Sequence, residues 1–338
     1  MEQSELQAVE YCFESNSSCL KEVRSPAVYV VMYISAVAVV MLTVCGNLVV
    51  IISISHFKQL HTPTNFIMLS LAVADFLVGT IVMPVSSFFL IETCWYFGEM
   101  FCILYKILFF FLTSVSIGNV ACIAIDRYFV VCHPLLYSTK VKVNVTASVI
   151  LLNWMISLLY NSTFMYLNGN IDGAEIQNFC TGDCLLFMSK SWVVIDLLCT
   201  LILPSSVMIT LYFKIFIVAR KHARAISTVT EQMRSADGGN NKISTKSERK
   251  AAKTLGILVI AFLLCLIPYY ICSLVLKNVD RSSLVLRVLG WLFFFNSVIN
   301  PIIYALFYPW FQKSVNLIVT LKIFKTGSSL INLFSKEI

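Results

Sequence analysis

The sequence predicts an all-α membrane protein, a seven-transmembrane helix bundle with a short amphipathic eighth helix. Of 338 residues, 58% are hydrophobic and only 13% are charged. The mean hydropathy of +0.83 is more than one soluble domain can shield from water. A helix needs about 20 apolar residues to cross the hydrocarbon core. Seven windows meet that length, starting near Tyr29, Asn65, Cys102, Val143, Ser191, Ala251 and Leu284. The short alternating segments of a membrane β-barrel are not found in the sequence.

Residues 1–26 form a polar, acidic tail expected outside the cell. The tail lacks the basic start and early apolar core of a cleavable signal peptide, so the first span is expected to act as an uncleaved signal anchor. With Met1 outside, 18 of the 25 Lys and Arg face the cytosol and 7 lie outside or at outer helix ends, as the positive-inside rule requires. The net charge of +7 is therefore mostly a topology signal, and no nucleic-acid partner is expected. Residues 27–308 hold the seven spans. Asp75 interrupts the second, and Asp126-Arg127-Tyr128 closes the third at the cytosolic boundary. Asp196 lies about two turns into the fifth, eight residues before Pro204. Pro204 and Pro268 remove backbone hydrogen bonds in the fifth and sixth spans, giving them places to bend.

Between those spans, residues 220–249 form a cytosolic loop that includes Asp237-Gly238-Gly239-Asn240-Asn241 and is too short for a domain. The basic run Lys246, Arg249, Lys250 and Lys253 fits a helix end snorkelling toward lipid headgroups, or contact with a cytosolic partner. The seventh span carries Asn300-Pro301-Ile302-Ile303-Tyr304, placing a polar side chain and a helix breaker deep in an apolar segment. Residues 309–338 open as an amphipathic run to about Phe324, expected to lie in the membrane interface, and end in a cytosolic tail.

Six of the 12 cysteines, Cys12, Cys19, Cys94, Cys102, Cys180 and Cys184, fall on the outer side, where disulfides persist. The other six are expected to be reduced. Asn16-Ser17-Ser18 is a glycosylation sequon on the exposed tail. No phosphate loop, catalytic Ser-His-Asp pattern or metal-spaced cluster is present in the sequence, so an enzyme is not expected. Paired intramembrane charges in repeated halves, the mark of a transporter, are also missing. Each ionisable group in a helix core is expensive to insert, so Asp75, Asp126 with Arg127, and Asp196 each need a partner or a role.

Asp126-Arg127-Tyr128 and Asn300-Pro301-Ile302-Ile303-Tyr304 together resemble the signatures of rhodopsin-like (class A) G-protein-coupled receptors. Four runs are similar to the trace amine-associated receptors within that family: His56-Phe57-Lys58-Gln59-Leu60-His61-Thr62-Pro63-Thr64-Asn65-Phe66, Cys94-Trp95-Tyr96-Phe97-Gly98, Glu248-Arg249-Lys250-Ala251-Ala252-Lys253-Thr254-Leu255-Gly256, and Tyr304-Ala305-Leu306-Phe307-Tyr308-Pro309-Trp310-Phe311. The resemblance runs from the N-terminal cysteine pair to Asn332-Leu333-Phe334-Ser335 and covers essentially the whole chain. It implies a multi-pass receptor of the plasma membrane with its N-terminus outside. Its expected partners are a small-molecule amine, membrane lipids and a heterotrimeric G protein of the stimulatory type that raises cyclic AMP. Most members serve olfaction.

The resemblance also assigns roles to residues. Cys102 and Cys184 match the family's loop-to-helix staple, with Cys180 tying the tail through Cys12 or Cys19. Arg127 is expected to hold Asp126 and Glu248 at rest and to release Glu248 when the sixth span swings outward at Pro268. Tyr304 would then turn toward the opened cavity, below the Asn300-Pro301 break. Asp75, with Asn47, Ser116, Asn296 and Asn300, resembles the family's sodium cavity, because a hard cation wants several oxygen ligands. A hydrogen-bonded polar knot that packs helices is the other reading of Asp75. No cofactor besides allosteric Na+ is expected.

The chain departs from the family where an amine receptor carries its third-span Asp. Counting 18 residues, about five turns, back from Arg127 reaches Phe109. The residue that resembles its usual Tyr partner is Phe294, and Leu266 stands where the sixth span normally has a Trp. Asp196 thus becomes the candidate anchor for a protonated amine, with the ligand body among Phe109, Phe110, Thr113, Tyr269, Tyr270, Trp291 and Phe294. Aromatic faces would add cation-π attraction. A single acid favours monoamines over diamines, unless Glu92 or Asp183 in the outer vestibule supplies a second site. Pairing of Asp196 with Lys106 or Lys190 is the structural alternative. A receptor of the same fold for a neutral or peptide ligand would then be the functional one. An opsin is excluded, because Leu289 to Ala305 contains no Lys for a Schiff base.

Overall fold

A computed structural model of the chain describes residues 10–15, 17–168, 180–184, 190–234, 256–257, 260–272 and 284–334. It is the seven-helix bundle expected from the apolar windows. Among the described residues, six helices are long and apolar enough to cross a bilayer: Pro26–His56, Pro63–Glu92, Glu99–Cys132, Val143–Leu167, Ser191–Lys221 and the helix ending at Phe307. The last of these runs Leu284–Phe307. The sixth window contributes the shorter apolar helix Ile260–Cys272.

Proline shapes the second and fifth of these helices. Pro63 starts the second span, where its missing N–H is unneeded, and Thr62 caps it by accepting from the Asn65 amide at 3.3 Å. The same span widens into a π turn at Val78–Val82, just before Pro84. The fifth span does so at Leu197–Ile202, just before Pro204. A proline inside a helix frees the carbonyl one turn earlier and crowds it, and a wider turn relieves both.

The third span is central, packing on the second, fourth and fifth, while the first lies against the second and seventh. Gly46 permits the last contact: a Cβ there would sit 2.8 Å from the Pro301 Cβ. Outward faces stay apolar, as Val31, Ile34, Val37, Leu151, Leu152 and Ile156 show. This pattern suits lipid, where the apolar stripe of a soluble helix has no meaning.

An outer cap closes one end. Strands β1 (Glu10–Tyr11) and β2 (Leu20–Lys21) pair antiparallel, and Ser18 bridges to Thr181. Cys19 is bonded to Cys180 and Cys102 to Cys184. A third bridge, Cys12–Cys94, was not expected from the sequence. The hairpin explains it, because Cys12 N donates to Cys19 O at 2.9 Å and so sets both sulfurs at the cap's edge. Trp95 N donates to Gly182 O at 2.8 Å. Gly182 has φ 106°, and a Cβ there would lie 2.8 Å from the Cys12 Cβ.

At the cytosolic end, the amphipathic helix spans Pro309–Val319 and stops short of the expected Phe324. Leu321 turns left-handed (φ 55°) before a 3-10 turn at Lys322–Phe324. The chain then folds back onto the first loop, with Leu333 N donating to Gln59 Oε1 at 3.0 Å and His56 Nε2 2.9 Å from Ser328 Oγ.

Candidate functional site

Asp196 is the last residue before the fifth-span π turn, so that wider turn sets which face of the helix it presents. It is 3% exposed. Tyr160 of the fourth span donates to its Oδ1 at 3.1 Å, and Tyr270 of the sixth donates to Oδ2 at 2.9 Å. Thr200, one turn on, donates to its backbone carbonyl at 2.5 Å and also meets the Tyr270 hydroxyl at 2.5 Å. Among the described residues no cation pairs with Asp196. The expected alternative partner Lys106 is not joined to it, and the side chain of Lys190 lies outside the described residues.

An aromatic belt leads from this carboxylate across the bundle. Tyr160 stacks on Phe164 (6.2 Å between centroids), Phe164 meets Phe110 (6.1 Å), and Phe110 meets Phe109 (4.9 Å). Phe109 meets Phe294 (5.7 Å), which meets Trp291 (6.0 Å). The belt joins most of the aromatic residues expected around a ligand. Tyr269 packs on Tyr270 at 5.8 Å instead, and Thr113 is half-buried on the third span. The Phe109–Phe294 contact sets two apolar rings edge to face where the sequence resemblance implied a place for an Asp–Tyr pair. Tyr160, Phe164 and Thr200 were missed from sequence. Thr200 sits four residues after Asp196, and Tyr160 four before Phe164, but only the packing of three helices shows that they converge.

A second polar cluster lies at the bundle's centre. Asp75 is fully buried. It accepts from Ser116 (3.1 Å) and Ser297 (2.8 Å) at Oδ1 and from Asn300 (2.7 Å) at Oδ2. Asn296 donates to Ser116 Oγ at 3.4 Å. Among the described residues no hydrogen bond joins Asn47 to Asp75; its amide donates to the Ser297 carbonyl at 3.1 Å. Ser297 is the member that sequence reading left out. The set suits a hard monovalent cation chemically, since Asp75, Ser116 and Ser297 offer a carboxylate and two hydroxyl oxygens, and Asn47 Oδ1 is buried without a partner.

At the cytosolic end Asp126 is 6% exposed. It accepts from Thr64 at 2.6 Å and from Tyr137 at 2.9 Å, and lies 3.5 Å from Arg127 Nε. Tyr137 stands on the short helix Pro134–Lys140, so this acid ties the second loop to the second and third spans. Burial raises the Tyr137 phenol above its ordinary pKa, which keeps it a donor. Tyr128 is half-buried, with the Lys214 ammonium 5.8 Å from its ring centroid. Pro268 lies within Ile260–Cys272, and Leu266 is 1% exposed, in the core. Tyr304 is 2% exposed, its hydroxyl unpaired. Glu248 and Asn16 lie outside the described residues.

An outer site and a cytosolic site, joined through one continuous helical core, form the layout of a receptor. The chain matches the family model described as 7 transmembrane receptor (rhodopsin family) over residues 46–304. It is 45% identical over 332 residues to trace amine-associated receptor 13c of Danio rerio, covering 96% of each chain. It is 42% identical over 337 residues to trace amine-associated receptor 9 of Mus musculus, covering 97% of this chain and 96% of the relative. Trace amine-associated receptor 4 of Mus musculus is 39% identical over 327 residues, covering 95% and 94%. The chain belongs to the trace amine-associated receptors of the rhodopsin family. It is thus a multi-pass receptor of the plasma membrane rather than an enzyme, with a small-molecule ligand and a heterotrimeric G protein as partners.

Proposed function

We propose that this receptor binds a protonated amine at Asp196, couples to a stimulatory G protein that raises cyclic AMP, and serves olfaction. The observation that carries the ligand reading is a buried carboxylate held by two phenols and, among the described residues, by no cation. Burying a charge without a counter-charge is costly, and an ammonium supplies both the charge and strong hydrogen bonds. Tyr160 and Tyr270 aim the carboxylate, and the half-buried Phe109, Phe110 and Trp291 of the belt offer ring surface to the ligand body. The relatives' names, which carry the words trace amine, support the same ligand class.

Tyr270 gives the site a route to the cytosol. Its bond to Asp196 joins the fifth and sixth spans, so an ammonium arriving at Asp196 shares the carboxylate with Tyr270 and acts directly on the sixth. Leu266, about one turn further in, replaces the family's Trp, which leaves Tyr270 as the aromatic link. Release of Glu248 by Arg127 is the matching step at the cytosolic end. Na+ at Asp75, with Ser116, Ser297, Asn296 and Asn300, would favour the resting arrangement.

The test is cyclic AMP accumulation with wild-type receptor and Asp196→Asn against a panel of mono- and diamines, with surface delivery measured in parallel. A response lost in the variant supports the reading; equal potency in both sinks it. A second reading, a non-amine ligand with Asp196 structural, draws on the two phenols that already bond both carboxylate oxygens. Silence of the wild-type receptor toward every amine would favour it.

A further inference from the structure

The interior face of the third span passes through Cys102, Lys106, Phe109, Thr113, Ser116 and Val120, in steps of four and three residues. Lys106 is the sole cation between Cys102 and Arg127. It is 9% exposed and lies one turn inside the Cys102–Cys184 staple. Among the described residues it makes no ion pair or hydrogen bond. The carboxylates that act on it from a distance are Asp183 and Glu99. Asp183 Oδ1 accepts from Cys184 N at 2.8 Å, Glu99 is exposed on the helix's first turn, and neither comes within ion-pair distance of Lys106. A buried ammonium that makes no ion pair among the described residues is expensive to keep. One turn further in is Phe109, from which the belt runs through Phe110, Phe164 and Tyr160 to Asp196.

We infer that the ligand is zwitterionic, with its ammonium group on Asp196, its carboxylate on Lys106, and an apolar or aromatic body along the half-buried rings of Phe109 and Phe110. This rests on the amine reading of Asp196 and adds a second charged end. The two protein charges are opposite and stand at the two ends of one aromatic surface. A plain amine leaves Lys106 unpaired. A diamine sets a second ammonium against it, a like-charge contact that selects against that class. Lys106 is a specificity-determining residue here, and it supplies a reason for disfavouring diamines that a single acid does not.

The test uses ligand-induced thermal stabilisation of the purified full-length receptor, which needs no assumption about the G protein. The probes are ω-aminocarboxylates of increasing length and the aromatic α-amino acids, each beside its decarboxylated amine and the diamine of matched length. Wild-type receptor should bind the best zwitterion about tenfold or more tightly than its matched amine, as expected for a charge-assisted contact in a desolvated site. Lys106→Gln should erase that preference while amine affinity stays within about threefold. Lys106→Glu should invert it, so that the diamine becomes the better ligand. Asp196→Asn should lose all three classes. If wild-type receptor binds the amine as well as the zwitterion, or if Lys106→Gln keeps the preference, the zwitterion inference is overturned and the amine reading survives alone. If wild-type receptor binds none of the probes, the amine reading fails and takes this inference with it.

Discussion

Three carboxylates sit inside this bundle, and each is kept by a different set of donors. Asp75 has two serines and an asparagine, Asp126 two hydroxyls and an arginine, and Asp196 two phenols. A hydrogen bond to a charged group contributes about 1.5–3 kcal/mol. Tyr270→Phe should therefore lower amine potency by about tenfold or more, read from dose–response curves at matched surface expression; unchanged potency would remove Tyr270 from the site. Tyr304 is the opposite case, since its hydroxyl is buried and unpaired. Removing such a group relieves a desolvation penalty. Tyr304→Phe should melt at or above the wild-type temperature, and, with Tyr304 turning toward the opened cavity as the resemblance implies, should show a reduced maximal response. A lower melting temperature would show that the hydroxyl is bonded at rest.

The fifth helix carries the site through its phase. The π turn Leu197–Ile202 stands between Asp196 and Pro204, and the extra residue in such a turn rotates everything beyond it by about 100°. With Pro204→Ala the freed carbonyl regains a donor and an ordinary α turn becomes available, swinging Asp196 away from Tyr160 and Tyr270. Amine potency should fall by about tenfold or more while expression and melting temperature hold. Potency that stays at the wild-type level would mean that packing against the third span, and not the proline, maintains the π turn.

The outer cap is covalent as well as hydrogen-bonded. Cys12–Cys94 and Cys102–Cys184 each close a sequence separation of 82 residues, and Cys19–Cys180 closes 161. A native disulfide typically contributes about 2–4 kcal/mol. The Cys12→Ser, Cys94→Ser double variant should lower thermal stability on that scale and speed ligand dissociation, because the bridge holds the tail hairpin over the outer end of the bundle, where Trp95 N donates to Gly182 O. Dissociation kinetics on intact membranes would check this. A stability loss with an unchanged off-rate would make the cap a structural clasp with no part in ligand residence.

Much of this molecule is legible in its residues because the bilayer is a demanding solvent. Long apolar runs must be helices there, so seven spans and their topology could be read directly. A charged side chain in such a run is expensive, which is how Asp75, Arg127 and Asp196 stood out. The partners of those residues could not be read. Which side of a helix meets which neighbour depends on its rotation about its own axis, and lipid-facing apolar residues leave no amphipathic stripe to reveal it. Tyr160 and Ser297 were invisible for that reason, and Cys12–Cys94 because packing of the tail hairpin on Gly182, which Trp95 also bonds, and not spacing, brings the two sulfurs together. The sequence by itself determined the bundle, the family and the candidate acid; tertiary structure alone decided what surrounds that acid, because the one-residue phase shift of a π turn or a neighbour's azimuth changes every contact without changing hydropathy.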